Sequence, residues 1–284
     1  MVSYVASMHG DDVLRPDNAF SYPDLSLLKP KCNNMKNMFL PLLLLLTICF
    51  AACKKSADGP GETPQTEYDN AAKVRAYIRD LGFPDNAVVE NAKEFIAEGD
   101  IVFPKDMEVP SGKPKTEQYY TGSLVSATNV TNIRLRIDAS MTSMTSEINS
   151  AISQWNAISG CSINWTVTTG SSYDVIIVDS NLGSGVCGSG TFPSGGRAGS
   201  TIRINKAYIA GNSFAQRART ICHEMGHNVS FRHTNWSSIG ESGATAVPGV
   251  GGTDASSLMN GGQCGSGATV LSTKDKQAAQ VLYP

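Results

Sequence analysis

The chain has 284 residues, with 23 Lys and Arg against 25 Asp and Glu, a formal net charge of -2, and 41% hydrophobic but only 17% charged residues. A near-neutral balance without a basic block excludes the clustered cations that phosphate contacts need, so no nucleic-acid partner is expected. The hydrophobic content is too high for a disordered chain and seven cysteines are too few for a disulfide scaffold, which leaves an ordinary folded protein, rich in Gly (27), with four histidines.

The first feature in chain order is an apolar run over residues 38–52, shorter than the roughly 20 apolar residues a bilayer span takes. It follows Lys36, holds five consecutive leucines at 42–46 and ends in Phe50-Ala51-Ala52-Cys53. A basic start, a short apolar stretch and small residues before a cleavage point describe a signal peptide. Small residues directly before Cys53 resemble a bacterial lipobox, in which the Cys is acylated and becomes the new N-terminus; plain secretion is the other reading. The expected division is an upstream extension (1–34) from an early start codon, a lipoprotein signal peptide (35–53), a tether with a small pro-like helical region (54–125) and a main domain (126–284). A lipid on Cys53 would place the protein in the bacterial cell envelope, at the outer membrane, facing either the periplasm or the surface. Cys161, Cys187, Cys222 and Cys264 then remain in an oxidising compartment, which allows two disulfides in any of three connectivities.

Residues 54–64 are a tether rich in Pro, Gly and charge. After it Ala71, Val74, Ile78 and Leu81 recur at helical spacing until Gly82-Phe83-Pro84 stops the helix, and residues 88–97 read as a second helix. Residues 54–123 carry 22 charged side chains, whereas residues 139–200 carry only Glu147, Asp174, Asp179 and Arg197, which sets a boundary near 110–127. Beyond it the pattern is mixed α and β. Ile133, Leu135 and Ile137 alternate with Arg134 and Arg136, as in a half-exposed strand. Ile148, Ile152, Trp155 and Ile158 make one helix face, closed by Gly160. Residues 162–169 and 174–179 are strands, the second expected to be buried on both sides. A Gly and Ser loop over 181–200 carries Cys187 and precedes a short strand over 201–205. Ser213 with Gln216 reads as a capping box opening a helix, and Ser272 caps a last short one.

Inside the helix after Ser213 lies His223-Glu224-Met225-Gly226-His227. Residues four apart share a helix face, so both imidazoles can reach one ion, with Glu224 beside it as a base. His233 follows six residues later, far enough for the chain to turn and supply a third nitrogen, which leaves one zinc position open for water. Farther on, Ser256-Ser257-Leu258-Met259-Asn260 places a Met in a polar loop.

This combination resembles the zinc motif and Met-turn of the metzincin proteases. Phe231-Arg232-His233-Thr234 after the histidine pair, Cys187-Gly188 followed by Thr191-Phe192-Pro193, and the Leu282-Tyr283-Pro284 ending make it most similar to the dual-action HEIGH metallopeptidases, over residues 132–284. The resemblance implies an α/β (α+β) zincin fold: a mixed, mostly parallel sheet, an active-site helix below it, and a cleft against a small irregular C-terminal part. It implies a Zn2+ held by His223, His227 and His233, an apolar floor from Met259, and a monomer acting on protein or peptide. The ion would acidify a water and polarise the scissile carbonyl while Glu224 takes the proton and returns it to the leaving amine. The edge strand bordering residues 186–196 would bind substrate backbone.

Two departures stand out. Ser230 occupies a position where the family has Gly, so a positive φ there would cost on the order of 1 kcal/mol. Gly261 stands where astacin-type members carry a Tyr, so no tyrosine ligand is expected; Tyr208 and Arg232 are the candidates for stabilising an oxyanion. Phe95-Ile96-Ala97-Glu98-Gly99-Asp100 resembles the Phe-x-Gly-Asp word of astacin propeptides, whose Asp blocks the metal, which makes Asp100 a candidate latency switch. The same residues also read as a helix end with Gly at its C-cap and a surface Asp. A zinc-stabilised surface-binding module without peptidase activity is the alternative function, and the intact Glu224 argues against it.

Overall fold

The structure, a computed structural model, describes residues 64–109, 120, 123–241 and 244–284. The expected extension, signal peptide, Cys53 and residues 110–119 of the linker lie outside the described residues. Among the described residues no helix is long and apolar enough to cross a membrane.

Helix α1 (Pro64–Asp80) buries Val74, Tyr77 and Ile78, with Leu81 just past its end, and Gly82 at φ +89° turns the chain out. Residues 88–97 are two strands, not the expected helix: β1 (Val88–Glu90) and β2 (Glu94–Ala97) pair antiparallel. Their turn is an Asn turn, Asn91 Oδ1 accepting from the amides of Lys93 and Glu94, and the burial of Phe95 and Ala97 alternates with period two. β3 (Ile101–Pro104) continues the meander. Glu98 (φ +55°) and Gly99 (φ +90°) make the tight turn between β2 and β3, so Gly99 is a hairpin glycine and not a helix cap.

The remainder follows the expected order. Ser126 caps a short α2 (Ala127–Val130), then come β4 (Ile133–Ile137), α3 (Thr145–Asn156), β5 (Trp165–Thr168) and β6 (Val175–Asp179). In β6 Val175 and Ile177 are buried and Ile176 and Val178 only half-buried, so one face is fully covered rather than two. The Gly and Ser loop contains a strand that the sequence did not announce, β7 (Gly188–Thr191), followed by β8 (Thr201–Ile204), α4 (Lys206–Ile209), α5 (Phe214–Asn228) and α6 (Thr273–Leu282). One eight-stranded mixed sheet results, in the order β1-β2-β3-β7-β8-β6-β4-β5. Between β8, β6, β4 and β5 all pairing is parallel, β7 runs antiparallel to β8, and β3 joins the other edge of β7 in parallel. The sheet therefore continues from the main domain into the N-terminal region, across the drop in charge.

Two apolar clusters fill the described residues. The larger packs α3 and α5 on the sheet through Ile148, Trp155, Ile202, Ile221 and Met225. The smaller joins α1 to β2 and β3, and Phe192, just past β7, inserts into it against Phe83 and Phe103. The four remaining cysteines form one disulfide, Cys187–Cys264, not two. Cys222 is sealed inside α5 beneath Trp155, whose indole donates to the Cys222 carbonyl (3.0 Å), while Cys161 sits against α6.

Candidate active site

Helix α5 opens at Ser213, whose hydroxyl accepts from the Gln216 amide (3.3 Å), a cap worth about 1 kcal/mol. The expected box is not closed, because the Gln216 side chain donates instead to the Gly267 carbonyl. From Ala218 to Asn228 every residue of the helix is buried. It runs directly beneath β7, and this contact explains the composition of the strand. A Cβ on Gly190 would lie 2.7 Å from the Glu224 carbonyl oxygen and 2.9 Å from His227 Cβ, and one on Gly188 would lie 2.8 Å from the Glu224 side chain. Strand β7 can approach the helix this closely only with glycine at positions 188 and 190.

On that helix His223 and His227 turn the same way, and His233 returns to them after a reversal at Ser230, whose φ of +80° is the left-handed geometry expected. All three imidazoles are at most 4% exposed. Each has its Nδ1 against an oxygen: His223 donates to the Leu258 carbonyl (3.0 Å), His227 to the Phe231 carbonyl (2.7 Å) and His233 to Glu241 Oε1 (2.8 Å). Donation from Nδ1 directs every Nε2 inward, the arrangement a metal ligand needs. The Nε2 atoms of His223 and His233 face each other at 3.2 Å.

Asp100, just ahead of β3, enters among these nitrogens. Its carboxylate lies 3.1 Å from His233 Nε2 and 3.8 Å from Nε2 of both His223 and His227. Its register comes from the β3–β7 pairing, with the Gly190 amide donating to the Asp100 carbonyl (2.9 Å) and that of Phe192 to the Val102 carbonyl (3.1 Å). Donor atoms of Asp100, His223, His227 and His233 all lie within 4.8 Å of one another.

The electrostatics favour a cation at this point. Burial pulls the His223 and His227 imidazoles below their ordinary range, and both are held neutral. Burial pulls His233 down too, but the carboxylates of Asp100 and Glu241 on either side outweigh it and raise the ring well above its ordinary value. For Asp100, burial is outweighed in turn by the His233 charge and by bonds from His223 and His233, so it stays ionised. Glu224 is raised well above the carboxylate range, first by burial and then by the Asp100 charge. Three buried atoms here have no hydrogen-bond partner among the described residues: His227 Nε2, Asp100 Oδ1 and Glu224 Oε2. A metal fits that donor set, since it would satisfy the His227 nitrogen and the carboxylate oxygen of Asp100 that the protein leaves unmatched.

Met259 lies beneath the helix, 1% exposed, where a Cβ on Gly226 would be 2.5 Å from its sulfur. The loop that carries it is fixed by Asp275, whose carboxylate accepts from the Ser257 hydroxyl (2.5 Å), the Leu258 amide (2.8 Å) and the Ser272 amide (2.9 Å). Gly261 backs His233 so closely that a Cβ there would fall 2.6 Å from Nδ1. Of the two oxyanion candidates, Tyr208 lies exposed on α4 and Arg232 is buried against Glu98. Sequence reasoning missed Glu241, Arg219 and Asp275. Arg219 is discernible one turn before His223, and Asp275 as the third residue after the Ser272 cap; nothing marks Glu241.

The sequence model of the dual-action HEIGH metallopeptidases matches residues 98–277. No curated protein sequence matches the chain. Among solved structures, myroilysin aligns at 17% identity, covering 57% of this chain and 98% of its own, with a TM-score of 0.42. High choriolytic enzyme 1, a hatching enzyme zinc-protease from Oryzias latipes (medaka fish), aligns at 17% identity over 62% of this chain and 98% of its own, with a TM-score of 0.38.

Proposed function

The chain belongs to the dual-action HEIGH metallopeptidases, and from that premise we propose that it is a zinc endopeptidase, held latent by its own N-terminal segment and anchored to the cell envelope by lipid on Cys53. The observation that carries the reading is the set of three Nδ1–H groups committed to oxygens, which turns three Nε2 atoms inward together, on the helix that carries Glu224. His223, His227 and His233 would hold the ion through those atoms. Bound zinc supplies Lewis-acid polarisation of the scissile carbonyl and acidifies the attacking water.

Glu224 does the proton work. Its Oε2 is buried and uncommitted, and a carboxylate whose pKa is raised by burial both accepts a proton at neutral pH and gives it up to a leaving amine. Glu241 orients His233, and the Leu258 and Phe231 carbonyls orient the other two rings, so ligand geometry rests on the backbone around Met259 and Ser230. Substrate main chain would add to the edge of β7 that β3 now occupies.

That occupation supports latency. Asp100 stands where water and carbonyl must enter, and β3 covers the strand edge where the peptide would lie. Cleavage between residues 110 and 121, a stretch holding Pro110, Gly112, Lys113 and Lys115, would separate the segment from the domain. Purified protein should carry one zinc per chain, lose it on His227→Ala, and after cleavage of the linker hydrolyse casein in a chelator-sensitive manner. Absence of metal from wild type, or unchanged metal in His227→Ala, would reject the ligand set. Mass spectrometry of the mature N-terminus tests the anchor, with a diacylated or triacylated Cys53 expected and an unmodified residue elsewhere refuting it.

A further inference from the structure

Beside the histidines a cavity of about 140 Å³ opens between the start of β7 and the loop after Met259. Asp100, His223 and Glu224 line it, as do Gln263 and the two cysteines of the Cys187–Cys264 disulfide. Arg219 lines it as well. It lies on α5 one turn before His223, so the two side chains share a helix face.

Arg219 is 4% exposed, and among the described residues its hydrogen bonds go to neutral acceptors: Nη2 reaches the Asn260 carbonyl (2.7 Å), Gln263 Oε1 (3.1 Å) and the Leu258 carbonyl (3.3 Å). Its Nε is buried and has no partner among the described residues. Other arginines of the fold are matched differently. Arg232 is paired with Glu98, Arg217 with Glu147, Arg203 with Glu94 and Arg134 with Asp174. Glu224, Asp100 and Asp275 act on this guanidinium through space, but none of them hydrogen-bonds to it, and a ligand carboxylate that did so would recover part of the cost of its burial.

Resting on the peptidase reading above, we propose that Arg219 is a specificity-determining residue that receives a carboxylate on the substrate residue following the scissile bond. A peptide added antiparallel to β7 runs from the Thr191 end toward the Gly188 end, which carries that residue toward the Cys187–Cys264 disulfide. The carboxylate is an acidic side chain or the C-terminus of the substrate itself. Both bring the same charge to the same guanidinium, and the disulfide, joining positions 77 residues apart, holds Gln263 at the cavity in either case.

The test uses the full-length zinc-loaded chain after linker cleavage. Quenched peptides differ only in the residue after the scissile bond: internal Glu against internal Gln, and terminal Gln as free acid against terminal Gln amide. Wild type should prefer one carboxylate of these pairs by roughly 10- to 100-fold in kcat/KM, and which pair shows it identifies the source. The ratio should fall toward one in Arg219→Gln. It should also fall in Gln263→Glu, which sets a carboxylate on Arg219 while leaving the loop's carbonyl anchors in place. Equal rates within both pairs for wild type would overturn the proposal without recourse to any variant, as would a preference that survives Gln263→Glu. Failure to cut any of the peptides would instead reject the peptidase reading and this proposal with it.

Discussion

Arg232 and Glu98 are joined inside the protein, Nη2 lying 2.5 Å from Oε1, with both side chains 1% exposed and the guanidinium stacked 3.7 Å over the Phe83 ring. Arg232 precedes His233, and Glu98 stands two residues before Asp100. The pair therefore fixes the N-terminal segment to the histidine site at the one place where register decides whether Asp100 reaches His233. Burial raises the Glu98 carboxyl to about 7, with the Arg232 charge opposing the rise.

Glu98→Gln should loosen this attachment. Removing the Glu98 charge from a buried ion pair costs about 3–5 kcal/mol, and the loss falls on the contact between β3 and β7. Faster hydrogen exchange at the Gly190 and Phe192 amides, which donate to this segment, is the expected result. Unchanged exchange there would show that the pair does not set the docking.

Asp100→Ala should raise the peptidase activity of the uncut chain at least tenfold while zinc content stays at one per chain, because the substitution removes a carboxylate 3.1 Å from His233 Nε2 and none of the three imidazoles. Equal activity of variant and wild type, with zinc intact, would remove Asp100 from the mechanism of latency.

Ser230→Gly should stabilise the protein by about 1 kcal/mol, since φ +80° strains any residue with a Cβ. For a protein of this size that corresponds to a rise in Tm of roughly 2–4 °C. No rise in calorimetry would mean that the contacts of the Ser230 side chain offset the strain.

Gly190→Ala should act in the opposite direction. The new methyl meets the Glu224 backbone oxygen at 2.7 Å, an atom that cannot swing aside, and overpacking of this kind costs about 1–3 kcal/mol. A urea midpoint equal to wild type would contradict the close approach of β7 to α5.

Much of this was legible in the sequence. The apolar face of Ile148, Ile152 and Trp155 and the alternation of Ile133, Leu135 and Ile137 follow from local periodicity, the positive φ at Ser230 follows only from the family's Gly at that position, and the structure has each of them. Most of the failures share a cause: the determining contact is remote in sequence. Residues 88–97 look helical because a four-residue strand leaves too short a trace of period two, and they are strands because β1 and β2 pair with each other and β2 pairs with β3. Strand β7 reads as a loop because its glycines are dictated by α5 beneath it and not by strand propensity. Glu241 carries no signature, since its role comes from an eight-residue return to His233 Nδ1. The second disulfide fails because Cys222 is committed to the core under Trp155.

The central claim, that Glu224 moves the proton at a metal held by three histidines, is tested most directly by Glu224→Gln. The measurement is the rate of peptide hydrolysis by the linker-cleaved chain, with zinc per chain determined on the same sample. The amide keeps the shape of the side chain beside Gly188 and cannot accept a proton. One zinc per chain with hydrolysis reduced by roughly 10²-fold or more is the predicted result; full zinc with hydrolysis at the wild-type rate would contradict it.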